Sequence, residues 1–467
     1  MIRTRRLRPV LFAVTMLASA GMLRAQAPDA DRTLAREILA ELVAFETTAG
    51  TGQTVPAARA MAARLLEAGY PQDDVQVVGP DSSPGNLVVR LRGSGAARPI
   101  LMMAHLDVVP AVADAWTTDP FALVETDGYY YGRGTSDNKG GAATLVANLI
   151  RWKREGWVPT RDLIAVLTAD EETTQDSIAW LVRERRDLVD AEFALNTDAG
   201  GGELRDGVPV TFAVQAAEKV YLSFRLTAAN AGGHSSVPRP DNAINELVRA
   251  LARIADYTFP VQLNEITTAF LDRTADTHPD EIAADMRAVV AASTDLEAAD
   301  RLSAASARLN ATLRTTCIAT QLAAGHAENA LPREASATVN CRILPGVDPN
   351  EIEATLRRLI GDDGIMLERM QVAVPSPPSL LTPEIQNMLN VLVDEMFPTA
   401  RIIPVMATGA TDGLYTRNGG IPTYGLAAIF SPADDVRAHG QDERVGVEIF
   451  HDAVEFWYRM VKRLASD

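Results

Sequence analysis

Cysteine is scarce in this 467-residue chain. Cys317 and Cys341 are too few for a disulfide scaffold; in an oxidising compartment they either pair or remain as two buried thiols. Basic residues are outnumbered, with 44 Lys and Arg against 61 Asp and Glu, and the resulting formal charge of -17 argues against nucleic acid or an anionic membrane as a partner. There is no G-x-S-x-G segment, which removes the nucleophile elbow of a serine hydrolase. Apolar runs are short. The longest, residues 10–22, is brief for a membrane span, and no second one follows.

That run has Arg3, Arg5, Arg6 and Arg8 before it and the small residues Ala25 and Ala27 after it, the layout of a secretory signal peptide with cleavage expected after Ala25. Loss of residues 1–25 removes five Arg and no acid, so the formal charge moves from -17 to -22. The mature chain is then expected to be soluble, in a bacterial periplasm or outside the cell, with no membrane contact.

A chain of 467 residues exceeds what one core usually sustains, so two domains are expected. Its 47% hydrophobic and 22% charged content is that of an ordinary globular protein. Apolar residues recur at helical spacing in "LAREILAELVAFETT" and "PAARAMAARLLEAGY". Strand patterns in "NLVVRL", "PILMMA", "LIAVLTA" and "EFALNTD" alternate with helical patterns in "GGAATLVANLIRWKREG" and "SIAWLVRERRDL". This implies an α/β fold, a mostly parallel mixed sheet between helices, with ligand sites at strand C-terminal ends. After about Pro209 the pattern changes. "VTFAVQAAEKVYLSFRLTA" and "SATVNCRIL" alternate as antiparallel strands do, around a helix in "NAINELVRALARIA". Residues 216–345 therefore read as an inserted α+β domain, interrupting a first domain of residues 26–215 and 346–467. The α/β pattern resumes with "EIQNMLNVLVDEMF", a strand "YGLAAIF" and a closing helix "EIFHDAVEFWYRMVKRLA".

Acidic and histidine residues collect at the expected strand ends. "MMAHLDVVP" delivers His105 and Asp107, which share one face of an extended chain. "GRGTSDNKGG" delivers Asp137, "LTADEETT" delivers Asp170, Glu171 and Glu172, "LNTDAGGG" delivers Asp198, and "RAHGQDE" delivers His439. Each segment alone has an ordinary reading: a hydrogen-bonded pair, a strand-to-helix loop, a solvated acidic turn, an exposed histidine. Together, two His and three carboxylates suit a pair of zinc ions, because zinc takes imidazole nitrogen and carboxylate oxygen and one carboxylate can bridge two ions. Cobalt or manganese would suit the same donors.

With "HLDVVP", "DGYYYGRGTSDNKGG", "DEE", "NTDAGGG", "GGHSSVPRPDNAI", "ENALP", "NCRILPG" and "HGQDE" in order, nearly the whole mature chain resembles the dizinc exopeptidases and amidohydrolases that include aminoacylase, glutamate carboxypeptidase and succinyl-diaminopimelate desuccinylase. The resemblance implies that Asp137 bridges two zinc ions, one also held by His105 and Asp198, the other by Glu172 and His439. It implies Glu171 as general base, Asp107 as the group that orients His105, and a cis peptide at Asp137-Asn138. In the inserted lid or dimerisation domain it implies His234 as the group that stabilises the tetrahedral oxyanion, reaching across to the partner's site in dimeric members. Asn329 and Arg342 match positions that hold a substrate carboxylate, and Gly409 and Thr411 a further substrate-contacting loop, though "GAT" departs from the commoner glycine-rich form. His278, His326 and His451 match nothing functional.

The expected function is a secreted dizinc carboxypeptidase or dipeptidase acting on small peptides. An N-acyl amino acid amidohydrolase uses the same machinery, and a non-catalytic peptide- or zinc-binding protein is the reading from another class. The alanine-rich segment 264–308 either packs as an enlarged lid or leaves a strand edge of the inserted domain free for a twofold homodimer.

Overall fold

The computed structural model describes residues 27–83 and 85–466, so the expected signal peptide lies outside the described residues. At its centre the strands Arg161–Thr168, Ala97–His105, Phe193–Asn196 and Thr423–Gly425 run parallel, side by side, in a ten-stranded mixed sheet. Side chains alternate between two cores. Ile100, Met102 and Ala104 face the helices Asp29–Val43, Lys139–Arg154 and Val447–Leu464, while Leu101 and Met103 face Ile178 and Leu181 of Asp176–Glu184 on the other side. Burial on both faces explains why these strands read as continuous apolar runs. Because they are parallel, their C-terminal ends open on one side, where His105, the turn after Thr168 and the turn after Asn196 emerge together.

The second domain is a four-stranded antiparallel sheet in the order Thr316–Ala324, Glu334–Ile343, Val220–Ala229, Ile365–Arg369, covered by the helices Ala243–Ala255 and Pro349–Ile360. Its end differs from the boundary expected at residue 345. The strand Ile365–Arg369 returns to pair with Val220–Ala229, and its short, half-exposed pattern carries little sequence signal. The run "VTFAVQAAEKVYLSFRLTA" divides at Lys219, the strand Val208–Glu218 belonging to the large sheet and Val220–Ala229 to the small one. "YGLAAIF" is likewise two strands, Thr423–Gly425 and Phe430–Pro432, since Ala428 between them adopts a left-handed φ of 56°. Cys317 and Cys341, opposite each other in register, form a disulfide.

Residues 264–308 form helices with their own apolar core, and the first, Glu265–Thr274, packs on the strand Arg401–Ala407 beside Val208–Glu218. The helices therefore rest on the large sheet. Among the described residues the lid strand Thr316–Ala324 keeps an unpaired edge, with Ile318 and Leu322 65% and 62% exposed. No helix among the described residues is long and apolar enough to cross a membrane.

Candidate metal centre

His105, the last residue of its strand, is 1% exposed. Its Nε2 lies 3.0 Å from Asp137 Oδ1 and 3.4 Å from Asp198 Oδ1. The second oxygen of Asp137, Oδ2, lies 3.1 Å from His439 Nε2, which in turn is 3.0 Å from Glu172 Oε2. One carboxylate thus addresses two groups of donors, His105 with Asp198 and His439 with Glu172. All five expected ligands meet. Burial raises the Asp198 carboxyl to about 6, and burial with the nearby Asp198 charge raises Glu171 above the usual carboxylate range. Hydrogen bonds to Asp137 and Glu172 raise the His439 imidazole to about 10. Burial opposes charge on His105, but Asp198, Asp107 and Asp137 outweigh it and raise that imidazole too. A cluster of acids held together by imidazolium cations is a donor set that a divalent cation would satisfy by displacing the protons.

The Nδ1 of His105 lies 3.0 Å from the main-chain carbonyl of Asp107, which fixes the tautomer that leaves Nε2 free as a ligand. The Asp107 carboxylate, 3.6 Å from the same ring, is engaged elsewhere and accepts the N–H groups of Glu171 at 3.1 Å and Glu172 at 2.9 Å. The main chain of Asp107 faces the ring, its carboxylate lies beside the same ring, and that carboxylate also shapes the turn that presents both glutamates. Glu171 accepts from Gln175 at 3.0 Å and lies 4.0 Å from His105, and with His105 and Glu172 it makes a third group of donors close enough to share a cation.

The loop carrying Asp137 is organised by a residue that sequence reasoning missed. Glu443 is fully buried and accepts the N–H of Gly134 at 3.1 Å, of Ser136 at 2.9 Å and of Asp137 at 3.0 Å, with the Ser136 hydroxyl at 2.9 Å and Arg133 Nη1 at 2.7 Å. It lies four positions after His439, so one acid couples the two ligand loops. The signal was the final Glu of "HGQDE", unassigned for want of a local partner. The Asp137-Asn138 peptide is cis, as the resemblance implied. A Cβ at Gly141, in the first turn of the following helix, would run into the Thr197 hydroxyl, so glycine there lets this helix approach the Asp198 loop.

The cluster opens into a cavity of about 1090 Å³ between the two domains, lined also by Arg342, Gly409 and Thr411. Arg342 stacks 4.4 Å from the Tyr221 ring, and beside it Lys219 donates to the Arg314 carbonyl at 2.7 Å, burial lowering its pKa to about 7. Thr411 is turned inward: its N–H and hydroxyl meet Glu218 Oε2 at 2.8 and 3.1 Å, and Glu218 is ion-paired with Arg417. His234 and Asn329 do not line this cavity. They lie together on a ribbon pairing Gly233–His234 with Ala330–Leu331, where the Asn329 carbonyl accepts from Ser235 and His234 Nδ1 meets the Ser236 hydroxyl at 2.8 Å.

A model of peptidase family M20/M25/M40 matches residues 101–463. The chain is 28% identical to a human N-fatty-acyl-amino acid synthase/hydrolase, over 79% of this chain and 75% of that protein, and 27% identical to a probable carboxypeptidase S-like protein of Dictyostelium discoideum, over 78% and 71%. Among solved structures it resembles an M20 metallo-carboxypeptidase from Sulfolobus solfataricus, with a TM-score of 0.66, 17% identity and coverage of 92% and 98%. Human carnosine dipeptidase 1 gives a TM-score of 0.66 at 15% identity over 93% and 97%, and a dinuclear metal-binding peptidase from Bacillus subtilis gives 0.59 at 12% over 94% and 99%.

Proposed function

Because this chain belongs to peptidase family M20/M25/M40, a family of hydrolytic enzymes with dinuclear metal sites, we propose that it hydrolyses an amide bond next to a free carboxylate, as a carboxypeptidase or dipeptidase does. The observation that carries the reading is Asp137, whose two oxygens face two separate donor groups, with Glu171 beside them 4.0 Å from His105. His105 and Asp198 would hold one zinc ion, His439 and Glu172 the other, with Asp137 shared. Bound zinc supplies polarisation of the scissile carbonyl and a lowered pKa for the attacking water. Glu171 takes a proton from that water and returns it to the leaving amine; its raised pKa, from burial and the Asp198 charge, suits both transfers. Arg342 receives the substrate carboxylate, its fork held by the Tyr221 ring and by Asn340 Oδ1 at 3.3 Å from Nε.

His234 and Asn329 serve a second copy of the chain. The unpaired edge of Thr316–Ala324, with Ile318 and Leu322 exposed, supports a homodimer in which each ribbon reaches the other subunit's cavity. The N-terminal leader supports secretion or a periplasmic site. An N-acyl amino acid is the second substrate reading, favoured by the likeness to the human N-fatty-acyl-amino acid hydrolase.

The test is zinc-loaded protein assayed on dipeptides, longer peptides and N-acyl amino acids, with Glu171→Gln alongside. Loss of at least about 10²-fold in kcat with both zinc ions retained is expected. Undiminished hydrolysis by Glu171→Gln removes the assigned base, and no hydrolysis by the wild type removes the reading.

A further inference from the structure

Two cations share the lid wall of the metal cleft, and among the described residues neither is paired with an acid. Lys219 stands where the chain crosses from Val208–Glu218 of the large sheet to Val220–Ala229 of the small one, and Arg342 lies on the neighbouring strand Glu334–Ile343. Both line the cavity of about 1090 Å³. Lys219 is only 1% exposed. One N–H of its ammonium meets the Arg314 carbonyl at 2.7 Å, and among the described residues nothing accepts from the others. Arg342 stacks on Tyr221 and donates Nε to Asn340.

The acids around this wall are taken. Glu218, next in the chain, is held by Arg417 and Thr411, and Asp300 pairs with the guanidinium of Arg314. Across the cavity Asp137, Glu171, Glu172 and Asp198 form the metal cluster with His105 and His439. Burial, and after it the charge of Arg342, lowers the Lys219 ammonium to about 7. Two buried cations without an anion are costly, and a carboxylate brought between them has one oxygen for each.

We infer that Lys219 is a second anchor of the substrate carboxylate, bonding one oxygen while Arg342 takes the other, at the joint between the two domains. The inference rests on the hydrolase reading above, in which Arg342 receives that group, and adds a residue outside the motifs that carry the family resemblance. It also predicts a proton. Above about pH 7 the free protein has largely lost the Lys219 proton, and a carboxylate set against the amine draws one back from solvent. Arg342 keeps its charge throughout this range. The grip on the substrate therefore weakens as pH rises, through KM rather than kcat.

The test sets Lys219→Met, which keeps a stem and removes the charge, and Lys219→Arg, which stays charged, against wild type, all zinc-loaded, between about pH 6.5 and 8.5. The substrate is a dipeptide or N-acetyl amino acid that the wild type hydrolyses. The ratio of KM in Lys219→Met to KM in wild type cancels titration of the substrate and of the metal cluster. It should be about 10- to 100-fold at pH 6.5 and shrink about tenfold by pH 8.5, with kcat within about threefold. Lys219→Arg should recover most of the affinity without the pH dependence. A ratio that pH does not move, or a loss in kcat alone, is what a lysine that merely bonds the Arg314 carbonyl would give; with Glu171-dependent hydrolysis intact, either overturns the anchor and leaves the hydrolase reading standing. The second readout needs no turnover: calorimetry of N-acetylleucine and its amide on zinc-loaded Glu171→Gln protein at about pH 8, in two buffers of different ionisation heat. Uptake of most of one proton with the acid, absent with the amide and absent in the double variant with Lys219→Met, supports the anchor even if no substrate is hydrolysed. No uptake, equal uptake with both compounds, or no binding of the acid overturns it.

Discussion

Asp137 and His234 both lie in loops rich in glycine and serine, yet they are held differently. The Asp137 loop turns three N–H groups and a hydroxyl onto one buried acid, Glu443, so its shape is fixed from within the subunit. The His234 loop is exposed and bonded to its own neighbours, Ser236 and the strand Ala330–Leu331. Metal ligands need a geometry that exists before any substrate arrives. In the proposed dimer His234 completes the other subunit's site, a role that needs reach and that nothing inside its own fold has to define.

Glu443→Ala should expose this contrast with the largest effect. It leaves Arg133 buried without its partner at 2.7 Å and three loop N–H groups unmet, so a loss of about 3–5 kcal/mol in urea unfolding is expected, with at least one zinc missing by metal analysis. Glu443→Gln keeps the shape and some of the acceptor capacity, and should cost about 1–3 kcal/mol. A change under about 0.5 kcal/mol for either would mean that the ligand loop holds its shape without this acid.

His234→Ala should do the reverse. Stability should stay within about 0.5 kcal/mol, as for an exposed side chain, while kcat falls by about 10²–10³, the usual cost of one oxyanion donor. Mixing this variant with Glu171→Gln, two inactive proteins, should restore activity, because a hybrid dimer carries one site with Glu171 from one subunit and His234 from the other. No recovery under conditions where light scattering shows subunit exchange would end the shared-site reading. Asp107→Asn comes next in size. One of the N–H groups of Glu171 and Glu172 loses its acceptor, so about 1–3 kcal/mol of stability and roughly 10- to 100-fold in zinc affinity should be lost, measured by chelator competition.

The same contrast separates what could be read from the sequence from what could not. His105, Glu172 and Asp198 were legible as candidates because apolar strands buried on both faces stop abruptly at charged residues, and a parallel sheet puts such stops on one side; Asp137 and His439, in loops off that sheet, were placed by the resemblance. Glu443 was not, because its partners are backbone N–H groups more than three hundred residues earlier in the chain, and backbone leaves no pattern in side-chain chemistry. The role of Asp107 was half legible: the pairing with His105 follows from strand geometry, but the acid's bonds to Glu171 and Glu172 depend on a turn after another strand. The return of Ile365–Arg369 to the small sheet was hidden because its outer positions are exposed. His234 and Asn329 were matched by motif, with a reach to a partner's site implied in dimeric members, and neither lines the cavity of its own subunit.

The smallest expected effect concerns two histidines of opposite surroundings. His451 is buried against the Tyr130 hydroxyl at 3.2 Å, and burial, with the charges of Arg32 and Arg36 and against that of Glu448, lowers its pKa to about 4. Unfolded, it titrates near about 6.5. Above that value it is neutral in both states and costs nothing; between there and about 4 the unfolded chain binds a proton that the folded one refuses, so stability falls with falling pH. In metal-free protein His439 acts with the other sign. Its pKa of about 10 means that the folded state keeps a proton the unfolded chain has released above about 6.5, so its contribution fades as pH rises toward 10. Urea unfolding of metal-free protein at about pH 5, 6.5 and 8.5 should therefore show an acid limb that His451→Phe flattens and an alkaline limb that His439→Gln flattens. An acid limb unchanged in His451→Phe would place the titrating group elsewhere. With zinc bound, the His439 limb should vanish, since a metal-held imidazole has no proton to lose, and its disappearance would mark this histidine as a ligand independently of any substrate.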